Sequence, residues 1–345
     1  MNTSDLRDHD SEPVFIVGCP RSGTTLLQLL IDLNTDYAIP PESFVFQRYG
    51  TLLAEPRMLE EGQAESLARL LRHDSRLKRW NLPADLLPRF DGRGPVSSHK
   101  VITEFFEAYA RFREKSRWGE KTPQHAENLP GILRAFPHAK ILHMLRDPRD
   151  VVASYTKAVF GPETALLAAR RWKHYAVLVE EHTSDLSSEQ FRTVKYEDLV
   201  TTPEQTVASL LEILAHGGQG IRVSLADSPL GSVYEGISNA HTAVTRQVDP
   251  SSVGRWRSRL TPREAQEVEF VTGEIMQRFG YSPEADLAKG GTKPDGQGEN
   301  ARHLTRKLMK RLVTPAAYKH AVIEFGDWAS ARRFRAWSRR HFPTQ

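Results

Sequence analysis

Four consecutive apolar residues, Val14, Phe15, Ile16 and Val17, lead into a polar, glycine-bearing stretch and then into apolar positions at Leu26, Leu27, Leu29, Leu30, Ile31 and Leu33. The first run has the length and character of a strand buried on both faces, and the second has helical spacing. The pattern recurs at residues 140–145, where Ile141, Leu142, Met144 and Leu145 precede Arg146-Asp147-Pro148, and again around residues 191–196. Asp147 suits an N-cap and Pro148 a first-turn position, so a helix is expected to start there. Alternation of strand and helix predicts a parallel sheet. Between residues 57 and 80, Leu59, Glu60, Ala64, Leu67, Ala68, Leu70 and Leu71 predict a helical insertion.

The C-terminal part reads differently. Gly290, Gly291, Pro294, Gly296 and Gly298 mark residues 287–300 as a linker, which divides a domain at 12–286 from a tail at 301–345. The net charge of +4 conceals an asymmetry: residues 301–345 hold 11 Lys and Arg against Glu324 and Asp327, or +9, and the first 300 residues stand at −5. Basic residues interleaved with Leu312, Phe325, Trp328, Phe334 and Trp337 predict helix in this tail. Such a helix suits packing on an acidic body or a second copy in a homodimer, or peripheral contact with an anionic membrane; nucleic acid is the weakest of these partners. At 345 residues and 39% hydrophobic content, the chain can bury one substantial α/β core with an appendage. No apolar run reaches membrane-spanning length, the first residues lack a signal-peptide pattern, and Cys19 is the single cysteine, so a reducing, cytoplasmic setting is expected.

The chemistry begins in the first loop. Gly18 and Gly23 permit tight backbone geometry, and Thr24 and Thr25 open a helix whose free N–H groups and dipole can hold an anion. The loop has the frame of a Walker A loop, but Thr24 stands where the phosphate-binding lysine belongs, which disfavours a triphosphate–Mg²⁺ enzyme. Positive charge sits instead at Arg21, whose guanidinium can hydrogen-bond two oxygens of a phosphate or sulfate. Pro20-Arg21-Ser22-Gly23-Thr24-Thr25 resembles the phosphosulfate loop of sulfotransferases that use 3′-phosphoadenosine 5′-phosphosulfate (PAPS), in the Arg-bearing branch that includes the tyrosylprotein sulfotransferases.

A second anion motif follows in the right order. Arg146 leaves its strand at the carboxyl edge of the sheet, where ligands of open α/β sheets bind, and Ser154 stands eight residues on. This spacing resembles the family's 3′-phosphate motif; the competing reading pairs Arg146 with Asp147 or Asp150. Trp118-Gly119-Glu120-Lys121-Thr122-Pro123 contains a lysine, Lys121, that resembles the one placed over the reacting sulfate, where Lys121 and Arg21 would stabilise growing negative charge. The competing reading pairs Glu120 with Lys121 or Arg21. Glu42, in Pro40-Pro41-Glu42-Ser43, resembles the catalytic base of the tyrosylprotein branch, although a Gly-Glu-Glu pattern is absent and one acid alone is present. His125 and His143 are rival bases, with His143 more in keeping with the core. Tyr196, in Tyr196-Glu197-Asp198-Leu199, resembles a nucleotide-side tyrosine at a strand end. Residues 241–256 are expected to complete the nucleotide site, with Val253-Gly254-Arg255-Trp256 similar to the end of the family's adenosine-phosphate loop. The usual basic pair is missing and Asp249 replaces a lysine; Arg246 or Arg255 would compensate.

The resemblance extends from about residue 13 to residue 283. It implies an α/β, P-loop-type three-layer fold with a central parallel sheet, a C-terminal helical appendage, and sulfuryl transfer from PAPS to a hydroxyl without a metal. Glu42, Arg21 and Lys121 would be catalytic; Pro20, Arg21, Ser22, Gly23, Thr24, Thr25, Arg146, Ser154, Tyr196 and Arg255 would hold the nucleotide, whose product form is PAP. The insertion at 57–80 would roof the acceptor side. The acceptor itself stays open among small molecule, glycan, lipid and tyrosine. A P-loop kinase or NTPase, or a nucleotide-binding module without catalysis, are the alternatives.

Overall fold

The computed structural model describes residues 12–92, 94–158, 161–214, 220–225 and 249–284. The linker, the basic tail and Arg246 lie outside the described residues, as does the expected domain end at 286. In chain order the elements are β1 (Val14–Gly18), α1 (Thr24–Asn34), β2 (Tyr37–Ala38), α2 (Val45–Ala54), β3 (Met58–Leu59), α3 (Glu61–Arg72), β4 (Val96–Ser97), α4 (Ser98–Phe112), β5 (Arg117–Lys121), α5 (Leu129–Ala135) and β6 (Lys140–Leu145). They continue with α6 (Pro148–Tyr155), α7 (Ala165–Thr183), β7 (Phe191–Lys195), α8 (Tyr196–Thr201), α9 (Pro203–Ile213), α10 (Trp256–Arg259) and α11 (Pro262–Arg278). Short 3-10 turns stand at Leu77–Trp80, Pro123–Asn128 and Pro250–Ser252.

Five parallel strands form the main sheet in the order β2-β5-β1-β6-β7, with Val14 facing Gly119 on one side and Lys140 on the other. Because successive residues of a strand face opposite ways, β1 feeds two separate cores. Val14 and Ile16 pack with Leu27, Leu30, Leu142, Met144, Val194 and Leu210, under α1, α8 and α9. Phe15 and Val17 pack with Phe46, Phe136, Ile141, Val152, Trp172 and Met276, under the layer that holds α2, α5, α6, α7 and α11. That two-sided burial explains the unbroken apolar run of β1 and produces three layers. The chain leaves β1 toward β2 and β5 on one side and toward β6 and β7 on the other. A crevice therefore opens at the carboxyl end of β1, where an α/β sheet binds its ligand.

The expected strand at 14–17 extends through Gly18, and the one at 191–196 stops at Lys195 because Tyr196 already begins α8. Asp147 caps α6 by accepting from the Arg149 amide, and Pro148 occupies its first turn. The insertion at 57–80 supplies α3, closed by a capping box between Glu60 and Gln63, and the turn at Leu77–Trp80. The Trp80 indole donates to the Pro41 carbonyl at 2.8 Å, which lays this insertion over the Pro40-Pro41-Glu42 segment. Among the described residues no helix is long and apolar enough to cross a membrane.

Candidate active site

Between β1 and α1 the backbone takes three left-handed or strained values, with φ of 147° at Gly18, 76° at Arg21 and 103° at Gly23. A non-glycine residue held there stores local strain, as binding loops do. The Ser22 amide donates to the Cys19 carbonyl at 3.2 Å, tightening the turn that Pro20 enters. The N-cap of α1 is Gly23, which has no side chain to hold the first amides of the helix, and these lie at the carboxyl end of β1. Ser22, Thr24 and Thr25 are buried in the loop, and the Ser22 hydroxyl has no hydrogen-bond partner among the described residues. Gly23 sits against the ring of Tyr196: a Cβ there would lie 2.4 Å from Tyr196 Cδ2. Gly23→Ala is therefore expected to destabilise the fold by roughly 1–3 kcal/mol through backbone strain and to displace the loop. Urea unfolding should show the loss.

Arg21 and Arg146 converge on this loop. Arg21 Nε donates to Ser154 Oγ at 3.2 Å, joining the first motif to α6. Burial, and after it the neighbouring charge of Arg146, hold the Arg21 guanidinium below its usual range, with Glu42 opposing the shift. Two nearby guanidinium groups repel one another, and an anion between them relieves that repulsion. Arg146 lies 4.1 Å over the Tyr196 ring and donates to the Ser252 carbonyl at 2.7 Å, while its buried Nε has no partner among the described residues. Its approach to Asp150 is 3.9 Å, so the competing Arg–Asp reading describes a long contact. Trp172 Nε1 fixes the Arg146 carbonyl at 3.0 Å, and Tyr196 donates to or accepts from Ser252 Oγ at 2.6 Å.

Asp150 has a different task from ion pairing. Its carboxylate accepts the Gly254 and Trp256 amides at 2.7 and 2.8 Å, docking residues 249–256 against α6. Asp249, in a lysine's expected place, caps the turn at Pro250–Ser252. Arg255 is turned toward its own segment, where it bonds the Ser251 carbonyl at 2.8 Å and reaches Asp249 at 3.5 Å.

The third group lies across the loop. Lys121, at the end of β5, is fully buried, and its ammonium donates to Glu42 Oε1 at 2.7 Å and to Thr25 Oγ1 at 3.3 Å. The Glu42 side chain is 28% exposed, which opens the carboxylate to the crevice. Arg76, missed in the sequence, also acts on Glu42 electrostatically; burial pushes its guanidinium down to about 10, and it lies 4.4 Å over the Phe44 ring.

Glu120 does not pair with Lys121 or Arg21. Adjacent strand residues point to opposite faces, and Glu120 turns away to His125, whose Nδ1 is 2.6 Å from Glu120 Oε2. Burial raises the Glu120 carboxyl, but His125 and the Thr122 and Ser43 hydroxyls outweigh it and hold the group below its usual range. His143 is fully enclosed in the core and burial pushes it down to about 4, which makes it a neutral packing residue. Among the described residues no group of three or more His, Cys, Asp and Glu side chains is placed to hold a metal ion.

The family model described as "Sulfotransferase family" matches residues 13–216. A protein-tyrosine sulfotransferase of Drosophila melanogaster is 24% identical over 292 residues, covering 82% of this chain and 54% of the fly protein. Protein-tyrosine sulfotransferase 2 of Gallus gallus is 24% identical over 318 residues, covering 89% and 78%. The chain thus spans about half the length of the fly relative and more of the chicken one. Among solved structures, the sulfotransferase domain from the curacin biosynthetic pathway shares the fold, with a TM-score of 0.55, 19% identity, and coverage of 77% of this chain and 98% of that domain.

Proposed function

We propose, from the premise that this chain belongs to the sulfotransferase family, that it moves a sulfuryl group from PAPS to the hydroxyl of an acceptor by in-line attack. The observation that carries the reading is the 2.7 Å pair of Glu42 and Lys121 beside Thr25 at the loop. PAPS supplies an electrophilic sulfur linked to phosphate through a bridging oxygen. Glu42 takes the proton of the acceptor hydroxyl as its oxygen attacks that sulfur. The bond to the bridging oxygen breaks, and Lys121 with Arg21 meets the negative charge that grows there. The amides of residues 22–25, in the turn entered at Pro20, hold the 5′ end; Arg146 and Ser154 hold the 3′-phosphate; Tyr196 contacts the nucleotide, and Arg255 reaches it only on leaving Ser251 and Asp249.

Two guanidinium groups and an ammonium supply the positive charge, so the reading calls for no metal ion. Tyrosine is the acceptor class that the names of the relatives support, and the insertion over Pro41 lies on the acceptor side. Cytoplasmic residence is part of the reading, supported only by the single cysteine, Cys19, which leaves no intramolecular disulfide to form. So is packing of residues 301–345 on the body or a second copy, with a membrane surface as the other partner, supported by their charge.

Calorimetric titration with PAP, ADP and ATP, with and without Mg²⁺, tests the nucleotide half of the reading. PAP should bind without metal and well above ADP. Arg146→Ala should weaken PAP about 10- to 100-fold, the value of one hydrogen bond to a charged group, while ADP affinity stays nearly constant. ATP preferred over PAP and dependent on Mg²⁺ would overturn the proposal in favour of a kinase or NTPase.

A further inference from the structure

Glu42 carries the proposed base, yet the next four backbone amides are held by side chains from elsewhere or from within the same short turn. Ser43 N donates to Glu120 Oε1 at 3.3 Å, Phe44 N to Thr122 Oγ1 at 3.3 Å, Val45 N to Ser43 Oγ at 3.0 Å and Phe46 N to His125 Nε2 at 3.3 Å. These amides include the first turn of α2, which its own N-cap, Phe44, cannot satisfy: Phe44 has no polar side-chain atom and sits in the left-handed region at φ 56°. The strand end that delivers Lys121 to Glu42 therefore also delivers the groups that hold the backbone beside Glu42.

The hydrogen-bond directions assign the protons. Because His125 Nε2 accepts the Phe46 N–H, that nitrogen carries a lone pair, and the imidazole proton belongs on Nδ1, facing Glu120 Oε2. Glu120 Oε1 meanwhile accepts Ser43 Oγ at 2.7 Å and Thr122 Oγ1 at 2.6 Å. Glu120 is only 1% exposed, and a carboxylate at such a place needs compensating partners: Oε1 accepts one amide and two hydroxyls, and Oε2 has His125 Nδ1 at 2.6 Å as an ion-pair contact outside hydrogen-bond geometry. An apolar pair would fill the same space without that desolvation cost, but it could not anchor amides.

We propose that Glu120, with His125 and Thr122, is the positioning device for Glu42: it locks residues 43–46 and thereby sets the Glu42 carboxylate at the reacting centre. The proposal rests on Glu42 being the base. An amide in place of the Glu120 carboxylate keeps the shape and defeats the lock. With its NH₂ at the Oε2 position the amide meets His125 Nδ1–H; with its NH₂ at the Oε1 position it meets the Ser43 N–H, and the Ser43 and Thr122 hydroxyls must turn from donating to accepting. Moving the imidazole proton to Nε2 sets it against the Phe46 N–H.

The test compares Glu120→Gln, Thr122→Val, Thr122→Ser and Glu42→Gln with the parent chain. Its probes are PAPS with a single-tyrosine peptide, PAP binding, and amide hydrogen exchange. Positioning predicts that Glu120→Gln and Thr122→Val lower kcat about 10- to 100-fold, as displacement of a reacting group by about 1 Å does. KM for PAPS and the PAP Kd should stay within about two-fold, and exchange at residues 43–46 should quicken while that at residues 22–25 does not. Thr122→Ser, which keeps the hydroxyl, should restore both turnover and protection. Parent kcat and exchange in Glu120→Gln and Thr122→Val overturn the proposal, as does a parallel loss of PAP binding, which marks a general structural role. If Glu120→Gln does not fold, the two Thr122 variants decide alone, and the exchange arm needs no acceptor. A Glu42→Gln variant that retains turnover removes the base reading itself, separately from the exchange result.

Discussion

Glu42→Gln is expected to cut turnover by about 10²- to 10⁴-fold, the usual range for loss of a general base, with PAP affinity within about two-fold of the parent. The amide can accept from the Lys121 ammonium as the Glu42 Oε1 does at 2.7 Å, but it cannot take a proton at the moment the acceptor oxygen attacks. Its side chain stands partly open to the crevice, and the nucleotide contacts proposed for Arg146, Ser154 and the 22–25 amides do not involve it, so binding should survive. Single-turnover measurement with labelled PAPS and a single-tyrosine peptide separates chemistry from product release. A rate within ten-fold of the parent would place the base elsewhere and leave Glu42 as a partner that merely holds Lys121.

Lys121→Met should lower the rate about 10²- to 10³-fold, comparable with deletion of one charge-stabilising donor in other enzymes, and should leave thermal stability nearly unchanged. The two halves of that expectation have different origins. Lys121 is fully buried against Thr25 and Glu42, so replacing its ammonium by a thioether of similar length removes a desolvation cost along with the ion pair. Glu42 keeps access to solvent and the electrostatic influence of Arg76 and Arg21, and so is not stranded as a buried charge. Catalysis loses a cation for which Met has no substitute. A melting point lower by more than about 8 °C, worth roughly 2 kcal/mol or more in a domain of this size, would show that Lys121 is chiefly structural.

The central strand, its loop and the Arg146–Ser154 spacing were legible in the sequence because each combines an apolar run with a sharp change to polar residues. β2, β3 and β4 were not legible, since two residues cannot display a period. β5 was hidden for another reason: Arg117-Trp118-Gly119-Glu120-Lys121 reads as a charged motif, although its last four residues are buried. Had it been read as a strand, its two-residue alternation alone would have separated Glu120 from Lys121 and sent their side chains to opposite layers. The docking of residues 249–256 by Asp150 was beyond sequence reasoning, because it depends on backbone amides more than a hundred positions away.

The strand order has a consequence for the birth of the protein. β1 pairs with no near neighbour in the chain; its partners begin at Gly119 and Lys140. Elongation at about 5–20 residues per second would take roughly 6–25 s to travel from the first strand to the last of its two partners. During that interval the apolar faces of β1 and α1 have no sheet to join, and such nonlocal closure is intrinsically slow. The phosphate-type loop, though it precedes both partner strands in the chain, can acquire its working shape only after residues 119–145 have been synthesised, and the nascent chain is a natural client for chaperones until then.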